Sequence, residues 1–519
     1  MRQFLLVIIS FVSIFLTSCR NDFEFENQTV GLEFSKDTVY LDTVFTNIGS
    51  STYTLKVYNR SNKNIKIPQI RLARGLESKY RMTVDGMVGN NRIFENVEML
   101  AKDSMYIFIE VTADVAAANP SDFLYTDQIL FGQGNLEQKV ELVTLIQDAY
   151  FLYPQRFDDG TTETLPIGEE EIFGFYLDEN DPTNGNELIW NASKPYVIYG
   201  YAAVPPNKTL TVNAGARIHF HAESGLLVAN NASIKVNGMP STNPNDPFEN
   251  NVIFQGDRLE PFYKNIPGQW GTIWLTQGSK ENEFTNCIIK NGIVGLLVTG
   301  NTGLNNSTPD VTLRNVQIYD HSNVGLLART GVIKGENVVI NTAGQAALAC
   351  SYGGKYNFNH STFNNNWPSS RQFSVLLNNY IVNAVPEEQP MVEATFTNCI
   401  IYGSNQIQMF IDKRGNGQFN YKFDHCLIKF NNINNIYTNN PLYDFTNESF
   451  YTNCLIATNS LVNNPKFLNA NQNQLIIGDD SAAKGRANAI FSTFPDILNN
   501  PRNPPLDLGA YNSTLFEED

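Results

Sequence analysis

Three charged residues at equivalent positions of a repeated pattern could take part in acid–base chemistry. Arg314, Glu336 and Asp424 each come directly before an Asn or His that recurs along the second half of the chain. A carboxylate beside a guanidinium can exchange protons with a bound molecule, whereas on a solvated surface the same pair forms only a salt bridge. The pattern places Arg314 and Glu336 on neighbouring strands, and a surface salt bridge is the simpler interpretation of that pair.

A second set of side chains, directly after the last apolar residue of each repeat, could bind a ligand by stacking and hydrogen bonding. This candidate row consists of Lys290, Tyr319, Asn341, Tyr402 and Lys429. We expect it to point outward, where it would contact a sugar chain or form solvated strand surface. The adjacent apolar row, also outward, contains Ile288, Gln317, Val339, Ile400, Leu427 and Leu455. An apolar row should be covered or should bind a partner, and the long loop between His360 and Asn398 is the candidate cover.

Copies of one six-residue motif must position these side chains. Phe-Thr-Asn-Cys-Ile-Ile occurs twice, and variants recur, at 284–289, 313–318, 335–340, 358–363, 396–401, 423–428 and 451–456. The third residue is always Asn or His; Asn tolerates left-handed backbone geometry and can hydrogen-bond from copy to copy. Alternation around it predicts two short strands meeting at a corner, with Phe, Cys and Ile facing inward. The spacing varies from 22 residues (315 to 337) to 38 residues (360 to 398), which predicts stacked coils with variable loops.

Composition narrows the possible partners of the 519-residue chain. The formal net charge is −16 and no basic tract is present, which argues against nucleic acid as a partner. Four of the six cysteines, Cys287, Cys399, Cys426 and Cys454, share one inward slot of the repeat. Parallel stacking fits disulfide geometry poorly, so we predict buried free thiols. His219 and His221 point the same way on one strand but lack a third ligand, so neither a metal site nor a cofactor is predicted.

The N-terminal residues 1–18 are typical of a targeting segment. The apolar run at 4–16 is too short to span a bilayer as a helix. It ends in Leu-Thr-Ser-Cys at Cys19, which resembles a bacterial lipobox, with a chance cysteine after an ordinary signal peptide as the alternative. The resemblance implies lipidation of Cys19, and therefore a membrane partner and an outer-membrane location, periplasmic or surface-exposed. Residues 19–30 would then form a tether.

Three further segments follow the predicted tether. Short alternating strands split by turn residues over 31–150 predict a β-sandwich. Residues 54–59 and 102–107 resemble the immunoglobulin-like domains of ASPM/SPD-2/hydin-type proteins, which implies a spacer or adhesion module. The acidic and polar stretch 151–187 is predicted as a linker, and 188–519 as the domain of stacked coils.

The coil domain resembles the pectin-lyase-like proteins, through its repeats and through tail motifs at 464–467 and 507–511. The resemblance implies a right-handed parallel β-helix, a fold that hosts polysaccharide lyases, glycoside hydrolases and plain adhesins. The Gly-His-Gly and Arg-Ile-Lys motifs of polygalacturonase-type hydrolases are absent, and the Asp-Asp pairs lie outside the central coils. We therefore expect an all-β, non-catalytic surface lipoprotein that binds a polysaccharide or a surface protein. A lyase or glycoside hydrolase of the same fold is the alternative.

Overall fold

The computed structural model describes the chain from residue 24 to residue 516. Within this range it leaves out residues 30, 115–122, 169, 244, 301–302, 306, 383–386 and 492–493. The predicted signal peptide and the lipidation site Cys19 lie outside the described residues. Residues 19–23 of the predicted tether also lie outside the described residues.

The chain divides into two compact units, Met1–Asp148 and Ala149–Asp519. Strands form nearly all of the regular structure, and no α-helix occurs among the described residues, which confirms the predicted all-β class. None of the helical turns in the described ranges is long and apolar enough to cross a membrane. These short 3-10 turns are Gly75–Glu77, Gly134–Leu136, Pro261–Tyr263, Pro441–Tyr443, Ala470–Gln472 and Ala489–Phe491.

The first unit is a sandwich of two sheets. The larger sheet contains Glu26–Asn27, Thr38–Phe45, Ile65–Leu72, Ile93–Met99, Leu124–Phe131 and Gln138–Gln147. The smaller sheet contains Glu33–Phe34, Tyr53–Tyr58, Tyr80–Val84 and Ser104–Val111. Alternate residues of both sheets, such as Leu55, Ile107 and Ile129, meet in one buried core. The buried Tyr80 side chain joins the two sheets, because its hydroxyl donates to the Tyr125 carbonyl of the larger sheet at 2.8 Å.

The second unit contains two large sheets that are parallel except for the antiparallel pairing of Thr164–Ile167 with Glu170–Tyr176. The long sheet consists of Tyr150–Leu152, Ile189–Trp190, Tyr196–Ile198, Thr209–Asn213, Arg217–Phe220, Ser233–Asn237, Val252–Gly256, Asn282–Lys290, Val311–His321, Val332–Ala343, Gly354–Asn359, Thr362–Asn365, Met391–Thr397, Ile400–Gly403, Lys422–Asp424, Leu427–Lys429, Tyr451–Thr452 and Leu455–Ala457. Each repeat pairs in parallel with the next, so that Phe284 lies beside Leu313 and Ile289 beside Ile318. The predicted parallel pairing of successive repeats in constant register is therefore present.

The second sheet of this unit has ten strands. They are Thr164–Ile167, Glu170–Tyr176, Tyr201–Val204, Gly225–Val228, Ile273–Leu275, Val294–Thr299, Val324–Arg329, Ala346–Ser351, Phe373–Asn378 and Met409–Asp412. Two small antiparallel pairs complete the unit, Tyr380–Ile381 with Glu387–Glu388 and Phe467–Asn469 with Gln474–Ile477. Inward side chains of both large sheets share one continuous core.

The region 151–187 differs from the predicted linker. Tyr150–Leu152 pairs in parallel with Tyr196–Ile198, and Glu170–Tyr176 pairs with Tyr201–Val204. Leu165 is buried in the core of the second unit. Glu170, Glu171, Asp178 and Glu179 occupy exposed positions of these strands and turns, whereas Glu187 is buried. The first coils are therefore built before residue 188.

The corner residue of every repeat has the predicted left-handed backbone. Its φ is 46° at Asn286, 54° at Asn315, 52° at Asn337, 45° at His360, 56° at Asn398, 50° at His425 and 50° at Asn453. The amide of Asn315 donates to Asn286 at 2.9 Å, and the amide of Asn337 donates to Asn315 at 2.9 Å. The hydrogen-bonded ladder predicted from the motif is thus confirmed at these coils.

The inward positions of the motif form stacks that continue from coil to coil. Phe396 lies between Phe358 and Phe423, with ring centroids 5.6 and 4.9 Å away and nearly parallel planes. The repeat cysteines are free, and all of them are buried except Cys454, which is partly exposed. Burial raises the pKa of the Cys287 thiol well above its ordinary value, which suits a packing role and not a reactive one. Free thiols inside the coils were the predicted state.

Replacement of Asn315 by alanine should weaken the second unit by about 1–3 kcal/mol, because two amide hydrogen bonds and a residue suited to positive φ are lost. All four tryptophans belong to this unit, so their fluorescence during urea unfolding reports on it. Asn357→Ala is the matched control, since Asn357 is exposed in the middle of a strand. Equal midpoints for the two variants would contradict a stabilising ladder.

Candidate functional site

The C-terminal segment 464–512, here called the C-terminal cover, lies on the outer face of the long sheet. Leu475, Ile497 and Tyr511 pack with Ile288 and Val339 in one buried cluster. A second buried cluster joins Ile477 and Leu508 of the cover to Ile400, Tyr402 and Leu427 of the sheet. The apolar row is therefore covered by the chain itself. The cover is this tail and not the predicted loop between His360 and Asn398.

Three members of the candidate row, Tyr319, Asn341 and Tyr402, contact this cover, which contradicts the assignment of the row as a ligand-facing surface. Tyr319, Asn341, Tyr402 and Lys429 are buried, and Lys290 is partly buried. The Asn341 amide donates at 2.7 Å both to the Ala470 carbonyl and to the Asn473 side chain. The Lys429 ammonium donates to the Gly403 carbonyl at 2.5 Å. These side chains bind protein groups, because residues distant in sequence cover the face to which they point.

The three charged candidates are not brought together. The guanidinium of Arg314 lies 3.3 Å from the Glu336 carboxylate, and Lys334 contacts the same carboxylate at 3.0 Å. Asp424 lies three coils beyond Glu336, where it contacts His425 at 2.6 Å. The predicted salt bridge between Arg314 and Glu336 is confirmed. No acid–base set that includes Asp424 forms around it.

The two histidines of the early coils are separately engaged. His219 is buried next to the Gly256 carbonyl at 3.1 Å, and burial lowers its pKa to about 4. His221 is partly exposed, and its Nδ1 lies 2.7 Å from the Asp257 carboxylate. Across the described ranges, no group of three or more His, Cys, Asp or Glu side chains is arranged to hold a metal ion.

Asp320 is a buried carboxyl group at the contact between the long sheet and the cover. It has a φ of 57° and accepts a 2.9 Å hydrogen bond from the Asn473 amide. Burial raises the pKa of Asp320 to about 7, opposed by that hydrogen bond and by the nearby charge of Lys290. A raised carboxyl pKa favours the unfolded chain once pH exceeds the unfolded value near 4, so folding stability falls between about pH 4 and pH 7.

Asp320→Asn is therefore expected to change stability in a pH-dependent way. At pH 8 it should stabilise the second unit by on the order of 2 kcal/mol, because no ionised carboxylate is buried. At pH 4 the effect should be below about 0.5 kcal/mol, since the acid is neutral in the folded state and only about half ionised in the unfolded chain. Urea midpoints at the two pH values measure the difference. A gain that is the same at both values would contradict a titrating Asp320.

One cleft of the second unit lies between the cover and an earlier loop, over the corners of two coils. Its volume is about 390 Å³, within the range of small-ligand sites. Residues 240–243, 247, 248 and 251 of the loop 240–251 form one wall, and residues 497, 498 and 500 of the cover form the other. Six neutral amide side chains line it: Asn243, Asn251, Asn286, Asn315, Gln317 and Asn500. Phe248 and Leu498 add exposed apolar surface on the opposite walls.

Partly buried guanidinium groups hold the loop wall of this cleft and the cover next to its other wall. Arg217 donates to the carbonyls of Asn251, Phe248 and Glu249 at 2.6, 3.1 and 3.2 Å. Arg502 donates to the Asn337 side chain at 3.0 Å and to the Ala510 carbonyl at 3.1 Å. Burial lowers the pKa of Arg502 to about 10, which leaves it protonated at neutral pH. The cleft is thus held in place without a ligand, which favours binding.

The described residues that line the cleft include no Asp, Glu, His, Lys, Arg, Cys or Tyr. The Glu249 carboxylate lies 3.4 Å from the Thr242 hydroxyl, which is part of the lining. General acid–base catalysis needs a titratable side chain that itself reaches the substrate. The sequence alone does not identify the lining residues of the cleft, because its two walls are about 250 positions apart. Their only local signal is that Pro- and Asn-rich stretches interrupt the strand pattern at both places.

Comparison with known proteins leaves the family of the chain open. No protein-family model matches the sequence, and no curated protein matches it either. A crystal structure of the periplasmic chaperone SfaE is similar at 17% identity and a TM-score of 0.16, over 22% of this chain and 58% of the chaperone. The chain thus spans little more than half of that chaperone. An ASH/PapD-like domain of human CEP192 is similar at 10% identity and a TM-score of 0.15, over 22% of this chain and 85% of that domain. Scores this low carry no functional argument.

Proposed function

We propose that this protein is a lipid-anchored surface protein that binds a glycan in the cleft between loop 240–251 and the cover, without catalysing a reaction on it. The observation that carries the proposal is the lining of that cleft. Amide groups offer donors and acceptors to hydroxyl groups, and two apolar side chains offer contact surface. The absence of a titratable group among the described lining residues favours binding over turnover.

In this proposal the second unit is a right-handed parallel β-helix that acts as a rigid scaffold. Parallel pairing between successive repeats supports a coiled path, and connections between parallel strands are right-handed in nearly all proteins. The first unit serves as an immunoglobulin-like spacer, in keeping with its two-sheet core. A lipid on Cys19 joins the spacer to the outer membrane.

The anchor has its own test in a gram-negative host that expresses the full chain. Metabolic labelling with an alkyne fatty acid should mark the wild-type protein and place it in the membrane fraction. Cys19→Ser should abolish both the label and the membrane association, because the thiol is the proposed acylation site. Labelling that persists in Cys19→Ser would contradict the anchor without affecting the cleft.

The binding proposal is tested on the chain without residues 1–19. A glycan array identifies bound sugars, and lyase and hydrolase assays on the same sugars report unsaturated products and new reducing ends. Binding with no product is the expected outcome. Product formation would replace the proposal with the polysaccharide lyase or glycoside hydrolase alternative, and no binding to any glycan would refute it.

A further inference from the structure

We infer that the cleft between loop 240–251 and the C-terminal cover takes an uncharged glycan and discriminates against uronate and sulfated polysaccharides. This inference rests on the proposed glycan binding and adds the chemical class of the ligand. It follows from three features of the cleft, namely its charges, its hydrogen-bonding groups and its apolar surface.

No cation lines the cleft among the described residues. The guanidinium groups nearby are already engaged: Arg217 donates to backbone carbonyls, and Arg314 pairs with Glu336. Arg502 donates to Asn337 and to the Ala510 carbonyl. The loop 240–251 carries Asp246 and Glu249, and the Thr242 hydroxyl in the lining lies 3.4 Å from the Glu249 carboxylate. A carboxylated or sulfated ligand would therefore meet like charge, which is unfavourable for binding.

The hydrogen-bonding groups of the cleft suit hydroxyl groups. Gln317 accepts from the Tyr319 hydroxyl at 2.8 Å, and among the described residues its amide nitrogen has no hydrogen-bond partner. Asn315 is held by its neighbours in the corner ladder, so its orientation is fixed before a ligand arrives. A buried amide nitrogen without a partner, as at Gln317, favours a ligand that presents a matching OH group over one that lacks it.

The apolar surface suits the C–H face of a sugar ring. The Phe248 side chain is 37% exposed on the loop wall, and Leu498 is 43% exposed on the cover wall. Both lie at the cleft, so a ring placed between them would remove apolar surface on each wall from water. An extended peptide fits less well, because the coil strands here pair with neighbouring strands and leave no free edge for strand addition.

Titration of the chain without residues 1–19 distinguishes the ligand classes. The probes are cello-, manno- and xylo-hexaose on one side and oligogalacturonate and alginate oligomers on the other. We expect at least one neutral hexaose to bind, with less than about a two-fold change in affinity between 50 and 500 mM NaCl, since no ionic contact is screened. Phe248→Ala should weaken this binding about five-fold or more. Phe262→Ala, at an aromatic residue 75% exposed outside the cleft, should leave it unchanged.

A gain-of-charge variant gives the opposite test. Leu498→Lys places a cation in the cleft at a position with little packing to lose, and it should create salt-sensitive binding of oligogalacturonate. Binding of acidic oligomers alone by the unchanged protein would overturn the inference while leaving glycan binding in place. Binding of a neutral hexaose with an affinity that Phe248→Ala does not change would also overturn the inference. Failure to bind any glycan would remove the proposed function itself.

Discussion

Replacing Leu508 by aspartate is expected to detach the C-terminal cover from the long sheet. Leu508 is 1% exposed and packs against Ile400 and Leu427. A carboxylate at this position would be buried without a partner, at a cost of about 3 kcal/mol or more. The cover is not a strand of the long sheet, and a single backbone–backbone hydrogen bond, from the Gly509 amide to the Asn398 carbonyl at 2.8 Å, joins their described residues. We therefore expect release of the cover to be easier than unfolding of the sheet.

Limited proteolysis with mass spectrometry measures this release. Leu508→Asp should be cut rapidly within 464–512 and should bind a hydrophobic dye, since the apolar row becomes exposed. Leu515→Asp is the matched control, because Leu515 is 80% exposed. Unchanged cleavage of Leu508→Asp would contradict the role of the cover. The same variant should lose glycan binding, because residues 497, 498 and 500 form one wall of the cleft.

Phe396→Ala should destabilise the second unit by about 3–5 kcal/mol. The Phe396 ring is fully buried and stacked between two other rings of the inward ladder, so its removal leaves a cavity in the middle of the stack. Urea unfolding followed by tryptophan fluorescence measures the change, with Phe262→Ala as the exposed control. A loss below about 1 kcal/mol would show that the stack relaxes around the gap.

Features that depend on neighbouring residues were predictable from the sequence. The repeated motif encodes the corner and the inward stack, because alternation and the turn residue act within six positions. Asn286 and Asn315 accordingly adopt the expected left-handed geometry and hydrogen bond. The pairing of Arg314 with Glu336 follows from the same register. Within the coils, local sequence determines the position of each side chain.

Features that depend on distant segments were not predictable from the same pattern. Alternation shows that Tyr319 and Tyr402 leave the coil core, but it does not show what lies above them. Tyr319 packs beside Tyr511 and Tyr402 beside Leu508, across 192 positions (319 to 511) and 106 positions (402 to 508). The tail motif around 507–511 indicates a resemblance to pectin-lyase-like proteins, but it does not predict that the tail covers the sheet. Its apolar residues were a usable signal, because an exposed tail has little reason to carry them.

The cleft depends both on features set by neighbouring residues and on features set by distant segments. Its floor comes from the corner ladder, which the motif predicts, and its walls come from two loops that no local pattern brings together. The candidate row was therefore assigned to the correct sheet but to a covered face. The proposed binding groups lie at the corner residues Asn286 and Asn315, between the cover and the loop 240–251.

Hydrogen–deuterium exchange with the tightest-binding neutral hexaose tests the central claim most directly. Peptides that contain Phe248 and Leu498 should exchange more slowly with the sugar bound, while peptides around Tyr402 and Lys429 should not change. The hexaose should be recovered intact after incubation. Protection at another face of the protein, or a cleaved hexaose, would contradict non-catalytic glycan binding in this cleft.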